Sequence, residues 1–280
     1  MGYNTTGLSH SNGLKGEKVV AEMLGTNTLL RSYLGGVSSV VKRGGTQYKE
    51  DIAFTRDPSS DFLGISVKNR GGKTGTFDWV NLTKVFSDMP SLSTALRPAI
   101  EYFNSVKGVY QDSPLTKSAN REEVKSLVKP YRAEYNRIVN GCLDDITPAM
   151  LKTILSQTFE KYTQEDEFYV AVHYPKKKSV WFEFNKDLPL VGLLNDPNVS
   201  FFLKKNRHAS QRIWCKMPDG STHDTYLRLR VALNNGMSVH LAGSKWSDGT
   251  NNGSCITVKI QQDQPEKFLE NIKNRREFVV

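Results

Sequence analysis

The chain has 280 residues, 38% hydrophobic and 24% charged, with a formal net charge of +9. That is room for one large domain or two modest ones with a real core, and the absence of any run near the ~18 apolar residues of a membrane helix argues against a helical membrane protein. Cys142, Cys215 and Cys255 are scattered and form no CxxC, so neither a structural zinc nor a disulfide framework is expected, and a reducing cytoplasm fits best.

The opening MGYNTTGLSHSNGLKG has neither the basic start nor the apolar core of a signal peptide and reads as a polar lead-in. In Lys15–Leu24 (KGEKVVAEML), Val19, Val20, Met23 and Leu24 fall at helical spacing, and Gly25 is the expected stop. Residues 29–42 hold a β-prone SVVK after Gly35-Gly36. Glu50–Thr55 (EDIAFT) and Phe62–Asn69 (FLGISVKN) flank a run of turn formers, Arg56-Asp57-Pro58-Ser59-Ser60-Asp61, which predicts a β-hairpin. Residues 77–165 read as mainly helical, with Thr147-Pro148 as a cap and Pro130 as an interruption. Phe168–Tyr174 and Ser179–Phe184 alternate as strands around Pro175-Lys176-Lys177-Lys178. Beyond them come the strand-prone VSFFL, RIWCK, TYLRLRVAL, MSVHLAG and CITVKIQ, a turn at Pro218–Ser221, a Gly/Ser/Asn-rich loop at 243–254 and a final helix, Pro265–Lys273. The order predicts an α/β (α+β) fold: a part at 1–174 with a helical insertion at about 77–165, then a β-rich part at 175–280.

Strand alternation puts Leu63, Ile65 and Val67 on one face and Gly64, Ser66 and Lys68 on the other. In the first arm Ile52 and Phe54 are apolar, so matching the apolar faces leaves Asp51 and Lys68 on the same side. A carboxylate beside a lysine suits phosphodiester hydrolysis. The acid can hold Mg²⁺, which activates water, and the ammonium can stabilise charge on the phosphate. A second carboxylate is expected, with Glu17 on the first helix the candidate and Ser66 able to add a hydroxyl. The bland alternative for Asp51 and Lys68 is a cross-strand ion pair.

Asp51 followed by Ser66-Val67-Lys68 resembles the D-x(n)-(D/E)-x-K core of PD-(D/E)XK nucleases, and KGEKVVAEML resembles the opening helix of their Holliday-junction-resolvase and Mrr-like branches. The resemblance covers about the first 175 residues. It implies a restriction-endonuclease-like mixed central sheet flanked by helices and a metal-dependent endonuclease acting on DNA. Mg²⁺ would be held by Asp51 and Glu17, with Mn²⁺ able to substitute, and Lys68 would be catalytic. The departure is Ser66, which stands where the motif has Asp or Glu. Asp78 is the candidate for a migrated acid. Loss of that acid also raises an alternative, a nuclease fold retained as an inactive DNA-binding or assembly module. A homodimer would supply one site per strand of a duplex.

Charge is uneven along the chain. The net is +3 over residues 1–90, −1 over 91–174 and +7 over 175–280. A clustered positive excess points to a polyanion partner. Arg228 and Arg230 alternate with Leu227, Leu229 and Val231 to make a basic strand face. Lys204 and Lys205 thicken the same region, and Lys73 follows Gly71-Gly72 close to the active strand. These are the candidate DNA contacts. The five histidines make no metal-binding or nucleophile-activating group.

Overall fold

The computed structural model describes residues 6–43, 50–70, 77–82, 90–107, 121–163, 166–204, 210–233 and 256–280. The chain begins α1 (Thr6–Thr26), α2 (Thr28–Tyr33), β1 (Ser39–Lys42), β2 (Ile52–Thr55), β3 (Leu63–Asn69) and β4 (Phe77–Leu82). Four helices follow: α3 (Pro90–Ala95), α4 (Arg97–Lys107), α5 (Arg121–Asp144) and α6 (Pro148–Thr163). Next come β5 (Phe168–Tyr174), β6 (Lys178–Glu183), α7 (Phe184–Asp187), α8 (Pro189–Asn195) and β7 (Ser200–Lys204). The remainder is β8 (Ser210–Lys216), β9 (Thr222–Leu233), β10 (Ile256–Gln262), α9 (Pro265–Glu270) and β11 (Arg276–Val279).

The fold is mixed α/β with two sheets, of order β1-β2-β3-β5-β6-β11 and β4-β10-β9-β8-β7. The chain divides into two units. One joins Gly7–Asp78, Leu155–Pro197 and Gln262–Val280 and holds the six-stranded sheet; the other is chiefly Trp79–Ile154 and Asn198–Gln261 and holds most of the five-stranded one.

In the first unit β1, β2 and β3 are antiparallel, and β5 joins β3 in parallel. One sheet face is apolar. Ile52, Phe54, Ile65, Tyr169, Ala171 and Trp181 are buried there with Val20, Met23 and Leu24 of α1 and with Leu30 and Leu34 at α2. This is the face that alternation predicts for Leu63, Ile65 and Val67. Helix α1 begins at Thr6, inside the stretch read as a polar lead-in, and runs on past Gly25 to Thr26. The β-prone SVVK is β1, and ahead of it residues 28–33 form a helix that Asn27 caps, its Oδ1 accepting the Leu30 N–H at 3.0 Å. Gly35 and Gly36, at φ +76° and +115°, then turn the chain into β1.

Four expectations are corrected. Residues 77–82 form a strand rather than the start of a helical stretch; Phe77 and Trp79 are buried and Asp78 lies between them in a period-two pattern. Helix α5 continues through Pro130, which is exposed. The expected boundary at 174/175 falls within the β5–β6 hairpin. β6 is buried along Val180–Phe182 and pairs with β5 and β11, so both belong to the first unit. The last helix is shorter than expected, ending at Glu270. The turn at Pro218–Ser221 is as read: Gly220 takes φ +84° and its N–H donates to the Met217 carbonyl at 2.9 Å. Thr147 does cap α6, its Oγ1 accepting the Met150 N–H at 3.3 Å. The segments containing MSVHLAG and the 243–254 loop lie outside the described residues. Among the described residues no helix is long and apolar enough to cross a membrane.

Candidate active site

Asp51 immediately precedes β2, and its own N–H donates to the Ile65 carbonyl at 2.9 Å. Ile52 lies opposite Ile65, so the antiparallel register sets Asp51 beside Ser66. Asp51 Oδ2 accepts the Val67 backbone N–H at 2.6 Å and makes a long, weak contact with the Ser66 hydroxyl at 3.4 Å. Among the described residues, Oδ1 accepts no hydrogen bond. Ser66 is 1% exposed, whereas Lys68 is half-buried with its Nζ 5.9 Å from the centre of the Tyr162 ring. Asp51, Ser66 and Lys68 thus share the sheet face opposite α1. Tyr162, on α6, supplies an aromatic wall that no motif in the sequence announces.

Burial lifts the Asp51 carboxyl above its ordinary range. The Lys68 charge, the Val67 N–H and the Ser66 hydroxyl pull it back part of the way, and Glu50 adds a smaller upward push. Glu50 is itself buried and turned to Arg43, whose guanidinium it meets at 2.8 Å. A raised acid that feels a neighbouring lysine is a pairing typical of functional sites.

No family model matches the chain, and a search of curated proteins finds no match. The assignment of function therefore rests on the geometry.

Glu17 is half-buried on α1, three residues before Val20 and seven before Leu24, at the margin of the helix's apolar stripe. Its neighbour Gly16 is buried, and a Cβ there would meet the Asn69 side chain at 3.1–3.3 Å. Glycine lets α1 approach the end of β3 this closely without displacing the Asn69 side chain. Asp78 sits on β4, a strand of the five-stranded sheet. Lys73 and Lys205 lie outside the described residues. Lys204, Arg228 and Arg230 belong to β7 and β9 in the other unit.

The structure thus gathers three of the predicted residues, Asp51, Ser66 and Lys68. Among the described residues no three of His, Cys, Asp and Glu come together as a metal cage. The donor set suits a hard cation that keeps most of its waters: Asp51 has one carboxylate oxygen uncommitted among the described residues, and Mg²⁺ is commonly held by only one or two carboxylates.

Proposed function

We propose that this chain is a Mg²⁺-dependent endonuclease hydrolysing DNA phosphodiesters, with Mn²⁺ able to substitute, and that Asp51, Ser66 and Lys68 form its centre. The observation that carries the reading is the hairpin register. It sets an acid at the start of one strand against a Ser-x-Lys at the end of its partner, on a face with a half-buried lysine. The order of α1, antiparallel β1–β2–β3, α6 and a β5 parallel to β3 supports the resemblance to PD-(D/E)XK nucleases.

In this reading Asp51 is the direct carboxylate ligand; Glu17, the proposed second, stands on the helix that covers the other sheet face and would have to reach the cation past the end of β3, where Gly16 meets Asn69. When bound, Mg²⁺ would supply an acidified water and shield charge on the phosphate oxygens. Lys68 donates to a phosphate oxygen as negative charge builds on it, and the partly desolvated site strengthens that interaction. The Val67 N–H orients Asp51 through Oδ2, which would leave its other oxygen available to a cation.

A second reading is a nuclease fold without catalysis, binding DNA or serving assembly. Ser66 in place of an acid and the absence of a three-acid group among the described residues favour it. The test is incubation with supercoiled, linear and branched DNA, with and without Mg²⁺, together with calorimetric titration of Mg²⁺ and Mn²⁺. Metal-dependent cleavage lost in Asp51→Asn supports the enzyme; DNA binding with no metal uptake supports the module.

A further inference from the structure

The outward face of the five-stranded sheet carries a row of cations. Strands β7, β8 and β9 are antiparallel, and their register sets Lys204 opposite Arg212 and Arg212 opposite Arg228. Adjacent strands are about 4.8 Å apart, so three like charges stand side by side, an arrangement that destabilises a sheet. Arg230 lies two residues further along β9 on the same face. Asp224 bridges to Arg212 at 2.8 Å. The alternate residues Phe201, Ile213, Leu227 and Leu229 are at most 1% exposed, so the cations occupy the opposite side of the strands. Lys204 and Arg230 are exposed, and Arg212 and Arg228 are half-buried.

Aromatic rings share this face. Phe202 lies directly opposite Trp214 in the register, one step along from the Lys204–Arg212 row. Both are half-buried, and the Lys204 ammonium rests 4.1 Å from the centre of the Trp214 ring. A cation on a ring face holds the place that a stacked base would take.

We infer that this face is a platform for single-stranded nucleic acid, its phosphates on Lys204, Arg212, Arg228 and Arg230 and an unpaired base stacked on Trp214. The inference rests on the reading that the chain acts on nucleic acid, and it specifies the strand form. Cations alone would serve a duplex equally well. Aromatic side chains set among them favour unpaired bases, because pairing hides the base faces in the helix stack. On binding, Lys204 leaves the ring for a phosphate and a base replaces it.

The experiment uses the full chain in chelator, so that no hydrolysis intervenes. Fluorescence anisotropy follows a labelled 20-nucleotide single strand and the duplex of the same sequence across a salt series, with tryptophan emission read in parallel. The wild type should bind the single strand more tightly than the duplex and lose tryptophan emission as it does. Trp214→Leu should weaken single-strand binding about five- to a hundred-fold, abolish the quench and leave duplex binding unchanged. Arg228→Gln/Arg230→Gln should weaken both and reduce the salt slope by about 0.7 for each phosphate of the single strand that is no longer neutralised. Equal affinity of wild type and Trp214→Leu for the single strand overturns the inference, as does displacement by heparin without recovery of emission. Single-strand binding here in a protein that never cleaves would sink the nuclease and leave the platform standing. Cleavage with no change of binding in either variant would do the reverse.

Discussion

The Val67 backbone N–H donates to Asp51 Oδ2 at 2.6 Å, tying the acid to the residue between Ser66 and Lys68. A backbone donor cannot swing away as a side chain can, so the separation of acid and lysine is set by the hairpin itself.

Replacing Asp51 with Asn keeps an oxygen for that N–H and removes the charge. Asp51→Asn and Lys68→Met should each lower DNA cleavage by roughly 100-fold or more. The melting temperature of Asp51→Asn should hold or rise, since that change removes a charge that burial disfavours. Cleavage of supercoiled DNA by purified, folded variants reads this directly. Wild-type rates in both would remove the site from this hairpin.

The Asp51 carboxyl also sets a pH dependence. Its folded pKa lies above the ordinary 3.8, first through burial, so its stabilising contribution is complete below that value and is lost as pH rises through the folded one. Asp51→Asn should therefore gain on wild type in urea unfolding as pH rises above about 4. Mg²⁺ affinity of the wild type should climb over the same window, because the cation needs the ionised form. Glu167 runs the other way. Burial pushes it up, but hydrogen bonds from Arg56 and Tyr169 and the Arg56 charge outweigh that, leaving it below 4.5. Glu167→Gln should cost stability in full above that pH, and the cost should fade as pH falls through the lower folded value. Parallel pH profiles for wild type and both variants would refute this assignment of the titrating groups.

Ser66 tests the missing acid. At 1% exposure beside Asp51, an aspartate there would bury a second negative charge. Ser66→Asp should lower the melting temperature in chelator, and Mn²⁺ should restore much of the loss, because a ligand that binds only the folded form stabilises it. A melting curve indifferent to Mn²⁺ would mean that the two positions do not converge on a cation.

Gly16 tests the seating of α1. Alanine is favoured over glycine in a helix by about 1 kcal/mol, yet its Cβ would press on the Asn69 side chain, so Gly16→Ala should be close to neutral. Gly16→Val adds bulk that Asn69 cannot accommodate and should destabilise by roughly 1–3 kcal/mol. It should also reduce cleavage with Asp51 and Lys68 untouched, because Glu17 moves with the helix. Chemical denaturation and a cleavage assay on the valine variant together decide it; full activity would exclude Glu17 from the site.

The hairpin around Asp51 and Lys68 is legible in sequence because period-two alternation and a run of turn residues act locally. The placement of β6 and β11 in the same sheet is not. Those pairings join distant residues, Arg276 with Trp181 for instance, and no local pattern encodes a partner so far away. β4 is hidden because FDWVNL is short and precedes a long helical region. Alternation gives the basic face of β9, whereas the Lys204–Arg212–Arg228 row depends on a three-strand register. That register shifts between Ile213 and Trp214, near Tyr226 at φ +56°. The proximity of Tyr162 to Lys68 arises only once α6 covers the sheet.

The late arrival of β11 has a consequence for biogenesis. As the chain is synthesised, β6 emerges long before the strand that will flank it, and the whole of β7–β10 is made in between. Through that interval β6 offers a row of unpaired backbone groups to any strand that meets it. The hazard lies at one margin of the sheet. Asp51, just ahead of β2, and Lys68, on β3, lie toward the other, with β5 already paired to β3. A nascent chain can therefore hold its acid and lysine in register while it is still vulnerable to aggregation at the opposite edge.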